Sequence, residues 1–256
     1  MRHKLLHQAA VAGSIVSSSL NLWRGSLVVR AAAQPALPLT LYEYEGCPYS
    51  RLVREVLTAL HLDVEIRPCP RLGKRFRAEA ERVGGKQLFP LLHDANTDTT
   101  LYESRDIIAY LFRTYGGREV PSMYQRKVGQ VVLGGIASGV RFGRGVIARR
   151  SKAPAQPLHL WSFESSPYSR LVRERLCELE LPYTLHNLGK EHWKEAGPAA
   201  RRIAPNPYVP RAGGKRHAFW SAHQRVQVPY LEDPNTGAAL FDSQRIVDYL
   251  ESTYAL

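Results

Sequence analysis

The sequence predicts an α/β fold made of two tandem domains, each preceded by an amphipathic helix. The main observation is a repeat. The octapeptide Pro48 to Glu55 recurs without change at Pro167 to Glu174, and such identity does not arise by chance. The second observation is that segments with strand-like and helix-like periodicity follow each copy in the same order. We therefore expect two copies of one compact α/β unit.

The similarity extends on both sides of the octapeptide. Upstream, Leu39 to Glu45 corresponds to Leu158 to Glu164. Downstream, three pairs of segments match in order: Leu72-Gly73-Lys74 with Leu188-Gly189-Lys190, Phe89 to Thr97 with Val228 to Thr236, and Tyr102 to Ile108 with Phe241 to Val247. The second copy carries extra residues between Lys190 and Gln224. The predicted division is helix and linker 1–38, domain 39–118, helix and linker 119–157, and domain 158–256.

The elements within each domain follow from hydrophobic periodicity and turn signals. Strands alternate apolar and polar residues, helices place apolar residues on one face, and Asp/Asn/Gly clusters mark turns. For the first domain the predicted order is strand Leu39 to Tyr44, helix Ser50 to Leu62, strand Val64 to Ile66, helix Arg75 to Val83, hairpin Phe89 to Leu92 with Leu101 to Tyr102, and a final helix N-capped by Ser104.

The N-terminal segment has two interpretations. Residues 1–33 are basic, lack acidic residues and are rich in serine and alanine, as in a transit peptide that would direct the chain to an organelle. However, Gln8 to Arg30 is similar to Gln130 to Arg149, and a cleavable leader would not be copied into the middle of a chain. We therefore interpret both segments as basic amphipathic helices that pack between the domains. Contact with anionic membranes is the alternative.

Composition excludes several classes of protein. The chain has 256 residues, 44% hydrophobic and 23% charged, which excludes a disulfide-stapled miniprotein, a fibrous protein and wholesale disorder. The net charge of +12 favours an anionic partner without choosing among nucleic acid, lipid headgroups and small acidic ligands. The chain has three cysteines and no long apolar stretch, so we expect a soluble protein in a reducing compartment, the cytoplasm.

Cys47 is the candidate nucleophile. It follows a strand and precedes a helix that opens with Pro48, which places its sulfur at the helix N-terminus. There the unpaired amides favour the thiolate, and Arg51 one turn on acts in the same direction. A buried cysteine that only packs is the alternative. Ser50 stands where a dithiol motif has its second cysteine, so the chemistry would follow a monothiol cycle.

The other two cysteines have plainer explanations. Cys69 follows the second strand at the same sheet edge as Cys47, where it would either resolve a disulfide or pack as a neutral thiol. Cys177 lies on the apolar side of a helix and is predicted to pack.

Pro90 and Pro229 each begin a strand, and an acidic–serine pair follows each of them at the start of a helix. In this order the motifs resemble the N-terminal, thioredoxin-like domain of the glutathione transferases and the related glutaredoxins, over Leu39 to Gly116 and Leu158 to Leu256. The resemblance implies two tandem thioredoxin-like domains that use glutathione. Cys47-Pro48-Tyr49-Ser50 is similar to a glutaredoxin active site, and the two prolines match the family's cis-proline.

The resemblance also implies roles for individual residues. Phe89 or Val228, ahead of the cis-proline, would pair its backbone with the cysteinyl part of glutathione. The γ-glutamyl end would be held by the acidic–serine pairs: Glu103 and Ser104, or Asp242 and Ser243. The glycyl carboxylate would meet lysines: Lys74 and Lys86 in the first copy, Lys190 and Lys215 in the second.

Two departures from the family separate the copies from ordinary transferases. A second thioredoxin-like copy stands where a transferase has its all-helical domain, which supplies the electrophile pocket. Ser166 replaces the cysteine in the second copy, so it cannot form a mixed disulfide but could hydrogen-bond a bound glutathione thiolate. We therefore expect one reactive domain and one that binds or scaffolds.

The insertion of the second copy is basic and aromatic, a composition that can indicate a nucleic-acid surface. Its cations are scattered among prolines and glycines, however. We therefore favour a solvated loop beside the ligand cleft and expect no nucleic acid. Its histidines show no metal spacing. The sequence thus predicts a glutathione-dependent thiol–disulfide oxidoreductase acting at Cys47 on a disulfide or glutathionylated substrate. A glutathione transferase and a non-catalytic glutathione-binding module are the alternatives.

Overall fold

The computed structural model describes residues 2–125, 143–195 and 209–256. The first half contains the predicted order of elements: β1 (Leu39–Glu43), α2 (Pro48–Ala59), β2 (Val64–Pro68), α3 (Arg77–Gly84), β3 (Leu91–Asp94), β4 (Thr99–Leu101) and α4 (Ser104–Thr114). It is preceded by α1 (Arg2–Leu20) and followed by the short α5 (Ser122–Gln125).

The second half repeats the order: β5 (Leu158–Ser162), α6 (Pro167–Glu178), β6 (Tyr183–Asn187), α7 (Lys215–His223), β7 (Tyr230–Asp233), β8 (Ala238–Phe241) and α8 (Ser243–Tyr254). The insertion supplies a 3₁₀ turn over Trp193–Glu195, while residues 196–208 lie outside the described part of the chain. Among the described helices, none is both long and apolar enough to cross a bilayer.

The two halves share one continuous sheet of eight strands, in the order β4-β3-β1-β2-β6-β5-β7-β8. Within each half the two strands of the βαβ unit run parallel to each other. The first strand of the hairpin, β3 or β7, pairs antiparallel with β1 or β5. The halves meet where β2 pairs antiparallel with β6, with Val64 opposite Leu185 and Ile66 opposite Tyr183. Each half thereby covers the strand edge that the other would otherwise expose.

The core forms because apolar faces of the helices cover this sheet. In α2, Val53, Val56 and Leu57 are fully buried, and Val172 and Leu176 take the equivalent places in α6. Helix α2 packs on α4, and α6 packs on α8, so each half has the same two-helix layer.

Helix α1 differs from the expected amphipathic helix. It ends at Leu20 instead of continuing to Arg30, and its buried face consists mainly of serines, while Ile15 and Val16 are exposed. This face packs on α6, where the Ser17 hydroxyl accepts a hydrogen bond from Arg170 and the Ser18 hydroxyl donates to Ser165. Small side chains allow the close approach, so packing and hydrogen bonding replace an apolar stripe. Helix α1 thus packs against the second half of the chain.

The linkers cross between the halves as two equivalent straps, the first strap being residues 25–32 and the second strap residues 143–152. The first strap exchanges backbone hydrogen bonds with Lys190 of the second half and then donates to Ala59 of the first. The second strap exchanges the same bonds with Arg71 of the first half and then donates to Glu178 of the second. The predicted helix over Gln130 to Arg149 lies outside the described residues up to position 142.

The straps correct one sequence match. Lys190 and Arg71 occupy equivalent places, 119 positions apart like the octapeptides. Matching Lys190 to Lys74 through the shared Leu-Gly-Lys tripeptide was therefore wrong. The tripeptide is a local coincidence, because backbone pairing with the strap defines the equivalence.

Candidate functional site

Cys47 lies where the sequence placed it, at the N-terminus of α2. It is the N-cap residue, its Sγ accepts a hydrogen bond from the backbone N–H of Ser50 at 3.4 Å, and Pro48 opens the helix. This contact is the side-chain capping bond of the helix, and it directs the N–H of Ser50 at the sulfur. The residue is only 3% exposed.

The second strap accounts for this burial. The Gly46 N–H donates to the Gly145 carbonyl at 3.2 Å, so the strap lies directly over the turn that carries Cys47. A Cβ on Gly46 would come within 2.4 Å of the Val146 side chain, which explains a glycine beside the cysteine. Tyr49, one residue beyond Pro48, points outwards and is 47% exposed.

Two neighbours of Cys47 differ from the predicted picture. Ser50 is fully buried, and its hydroxyl has no hydrogen-bond partner in the described part of the chain, so it packs at the site without forming an exposed contact. From the sequence, Tyr44 is predicted only as the last residue of the first strand. Burial raises the pKa of Tyr44 to about 12, and the adjacent Cys47 sulfur adds to this shift. Only the folded turn brings this phenol to the thiol.

Cys47 opens on a pocket between the two halves. Including its open mouth, the pocket has a volume of about 320 Å³. It is lined almost entirely by polar and charged side chains: Ser17, Glu45, Arg51, Arg54, Arg144, Glu164, Arg170 and Glu174, with Gly46 and Cys47. The predicted neighbour Arg51 is therefore at the site, although its Nε donates to Glu55 at 3.1 Å.

Beneath the pocket, a buried ion network joins the halves. Arg54 donates to Glu164 of the other half at 2.8 Å and to Glu43 of its own, while Arg173 donates to Glu45 across the interface at 3.0 and 3.1 Å. The pairs are reciprocal, since Arg54 and Arg173 are equivalent residues of the repeated octapeptide. This network is not among the predictions from the sequence, although the identical arginines in both copies indicate a shared role for Arg54 and Arg173.

The network shifts the ionisation of its carboxyl groups in opposite directions. Burial raises the pKa of Glu43 to about 7, against the opposing charge of Arg54. Burial would also raise the pKa of Glu164, but the charges of Arg173 and Arg54 outweigh it and hold that pKa well below its usual range. The site thus combines a firmly ionised carboxylate with one that titrates near neutrality.

We expect the Glu43→Gln variant to show this titration as altered pH-dependent stability. A carboxyl whose pKa is 4.5 unfolded and about 7 folded contributes stability that is complete below the unfolded value. That contribution is lost as the pH rises through the folded value. Glutamine cannot titrate, so the variant should gain stability relative to the native chain between about pH 5 and 8, as measured by urea unfolding. A constant difference across this range would contradict the assignment.

The cis-proline positions are confirmed. Phe89-Pro90 and Val228-Pro229 are both cis peptides. Pro90 and Pro229 are buried, and Phe89 and Val228 are partly buried. The cis geometry and the burial of the prolines are therefore the same in both halves.

The acidic–serine pairs differ between the halves. Glu103 and Asp242, not the following serines, are the N-cap residues of α4 and α8, which corrects the predicted caps; both adopt positive φ, at 62° and 79°. Asp242 caps its own helix by accepting from two backbone amides at 2.9 and 3.2 Å, whereas Glu103 makes no such bond. Both residues are exposed, but one oxygen of the Asp242 carboxylate is engaged in capping, whereas the Glu103 carboxylate makes no capping bond.

Helix α1 further closes the second site. His7 Nε2 lies 3.0 Å from the Ser243 hydroxyl. Ser166, which replaces the cysteine, accepts hydrogen bonds from the N–H and the hydroxyl of Ser169, and it is almost fully buried. The hydroxyls predicted to contact glutathione in the second half are thus already bonded within the protein.

The predicted lysines also separate into two groups. Lys74 and Lys86 of the first half are exposed, with the Lys86 ammonium 4.6 Å from the centre of the Tyr102 ring. Lys190 lies over the Phe163 ring, and burial lowers its pKa. Lys215 donates to Asp63 and to the carbonyl of His61, both in the first half, so its prediction as a carboxylate ligand was wrong.

The remaining cysteines are structural. Cys69 is fully buried, burial raises the pKa of its thiol, and its Sγ donates to the Arg67 carbonyl. This excludes it as an exposed resolving thiol. Cys177 donates to the carbonyl of Gly145 in the second strap and accepts from the Glu45 amide, so its predicted packing role includes hydrogen bonding.

Two cations of the described part of the insertion, Lys215 and Arg216, are used within the fold. Arg216 pairs with Glu195 at 3.0 Å and donates to the Leu188 carbonyl, so it is not displayed to a phosphate backbone. His186 contacts Asp63 and stacks on Trp161. In the described ranges, no cluster of His, Cys, Asp or Glu could hold a metal ion.

Comparison with known families agrees with this geometry. Residues 41–119 and 160–256 match the family model described as glutathione S-transferase, N-terminal domain. No curated protein and no solved structure matches the chain. The two matched segments cover more than half of the sequence and coincide with the two thioredoxin-like halves. The chain therefore belongs to the glutathione S-transferase N-terminal domain family and carries that domain twice.

Proposed function

We propose that the first half binds glutathione and performs thiol–disulfide exchange at Cys47, while the second half serves as a scaffold. Family membership links the chain to glutathione, and the residues of each half distinguish their roles. We further propose that it acts in a reducing compartment, the cytoplasm, where a glutathione cycle is sustained.

The observation that carries the proposal is the asymmetry of two otherwise equivalent grooves. The first groove has a cysteine at its helix N-terminus and an uncommitted Glu103 beside Ser104. In the second groove, a serine replaces the cysteine, Asp242 caps its own helix and His7 contacts Ser243. A retained cysteine in the same half as an uncommitted Glu103 favours catalysis in the first half, and polar groups bonded within the protein favour a structural role in the second.

The proposed cycle needs one protein thiol. The Cys47 thiolate attacks the glutathionyl sulfur of a mixed disulfide, forms a disulfide with it and releases the other sulfur as a thiolate, which takes up a proton. The thiolate of a second glutathione attacks the same sulfur, so that oxidised glutathione leaves and Cys47 returns as a thiolate. The amides of α2 stabilise the thiolate in both steps. With Ser50 in place of a second cysteine and Cys69 buried, glutathione itself is the resolving thiol.

The burial of Cys47 restricts the substrate. A cysteine residue that is 3% exposed beneath the second strap accepts a thin, flexible disulfide more readily than one held on a folded protein surface. We therefore propose low-molecular-weight glutathione disulfides as substrates. The same burial favours a second candidate, a glutathione-binding module without turnover, which would show glutathione binding but no disulfide reduction.

Calorimetry with glutathione tests the assignment of the halves. We expect one molecule bound per chain, because Glu103 of the first half makes no capping bond, whereas Ser166, Asp242 and Ser243 of the second half are bonded within the protein. Ser104→Ala should weaken binding by about tenfold, as expected when a hydrogen bond to a charged group is lost. The matched variant Ser243→Ala should leave affinity unchanged. Two molecules bound per chain, or an equal loss in both variants, would contradict the assignment.

A further inference from the structure

Arg170 is a buried cation that has no anionic partner among the described residues. It is 4% exposed, and within the described part of the chain its guanidinium donates only to the Ser17 hydroxyl. Its Nε and Nη2 have no hydrogen-bond partner, and it forms no ion pair with any residue in the described ranges. Unpaired donors on a buried charge are unfavourable, so such a group normally has a counter-ion.

The neighbouring carboxylates do not fill this role. Glu45 and Glu164 are engaged by Arg54 and Arg173 in the interface network. The equivalent arginine of the first half, Arg51, pairs with Glu55 one turn along the helix and, at 3.9 Å, with Glu164. Its Nη2 nevertheless has no hydrogen-bond partner among the described residues. Two guanidinium groups, one from each half, therefore present unused N–H groups at the pocket.

The protein by itself stabilises the positive charge of Arg170 only weakly. Burial lowers the pKa of Arg170 to about 9, and the nearby positive charge of Arg51 adds to this effect. An anion between the two guanidinium groups would compensate both and satisfy their donors, in the paired geometry that arginine offers to oxyanions.

We propose that the pocket between the halves binds a small oxyanion through Arg170 and Arg51, beside Cys47. The volume of about 320 Å³ includes open solvent at the mouth, so the enclosed space is smaller and suits an inorganic oxyanion or a small carboxylate better than a nucleotide or a peptide. The pocket lining also contains Glu45, Glu164 and Glu174. Their negative charges would repel an anion from positions other than those beside the arginines. The occupant would bridge the two repeats and tie the interface together.

Thermal unfolding of the full chain tests this site. Inorganic phosphate, sulfate and acetate are added separately at constant ionic strength. An oxyanion that binds should raise the Tm of the native chain saturably, by about 3 to 5 °C at ten times its Kd, and the comparison separates inorganic from carboxylate ligands. Arg170→Gln should abolish the shift while folding normally without the anion, because it removes an uncompensated charge.

The control is Arg113→Gln, which removes an exposed arginine of α4 and should keep the shift. If Arg170→Gln does not fold, Arg170→Lys keeps the charge, loses the planar fork and should bind at least about fivefold more weakly. A native chain that no anion stabilises, or a shift that persists in the Arg170 variant, would overturn the proposal. Cys47→Ser should retain the shift, so this test is independent of the thiol chemistry.

Discussion

Replacing Arg54 with methionine should lower the free energy of unfolding by about 3 to 5 kcal/mol, the cost of removing one member of a buried ion network. The guanidinium group is nearly inaccessible and contacts Glu43, Glu45 and Glu164. Without it, their negative charges face one another across the interface between the halves. Urea unfolding near neutral pH measures the loss.

Arg113→Met is the control for side-chain type, because Arg113 is exposed on α4 and its replacement should change stability by no more than about 0.5 kcal/mol. Arg173→Met should match Arg54→Met, since the two arginines exchange roles across the interface. The loss in the free energy of unfolding caused by Arg54→Met should also be smaller at acidic pH, where the carboxylates take up protons. If Arg54→Met behaves like the surface control, the network does not stabilise the interface.

The second large effect is on activity, where replacing Cys47 with serine should reduce glutathione-dependent disulfide reduction to the uncatalysed rate. A hydroxyl in place of the thiol cannot form the mixed disulfide on which the cycle depends. The measurement is reduction of a small glutathione mixed disulfide, with mass spectrometry to detect a glutathionyl group on Cys47.

Cys69→Ala provides the matched control, because Cys69 is buried and its thiol is held in its neutral form. This variant should keep its turnover. If Cys47→Ser retains turnover, or if glutathione is found on Cys69 instead, thiol exchange at Cys47 is refuted. If the native chain binds glutathione but reduces no disulfide, the non-catalytic module is the correct function.

Much of the fold was predictable because its determinants are local. Identical octapeptides adopt the same helix, and alternating or helical apolar patterns specify strands and helices within short windows. The position of Cys47 follows from the strand before it and Pro48 after it. The cis-prolines were predictable through the family resemblance, since their motifs occur in the same order in both copies.

Local reasoning failed where contacts join distant parts of the chain. The buried face of α1 was mispredicted because its serines serve α6, about 150 residues away. Lys215 was assigned to a ligand, yet it pairs with Asp63 of the other half. The roles of Tyr44 and of the interface arginines were missed for the same reason.

By itself the sequence determined that this protein is a duplicated thioredoxin-like unit with one cysteine-bearing copy, since these properties depend on neighbouring residues and on comparison of the copies. Only the tertiary structure decided how the copies assemble. Pairing of β2 with β6, crossing of the straps and burial of Arg54 against Glu164 depend on surfaces that form after each half has folded. These contacts cover Cys47 and leave Arg170 without a counter-ion, because the shape and charge of an interface are properties of two surfaces together.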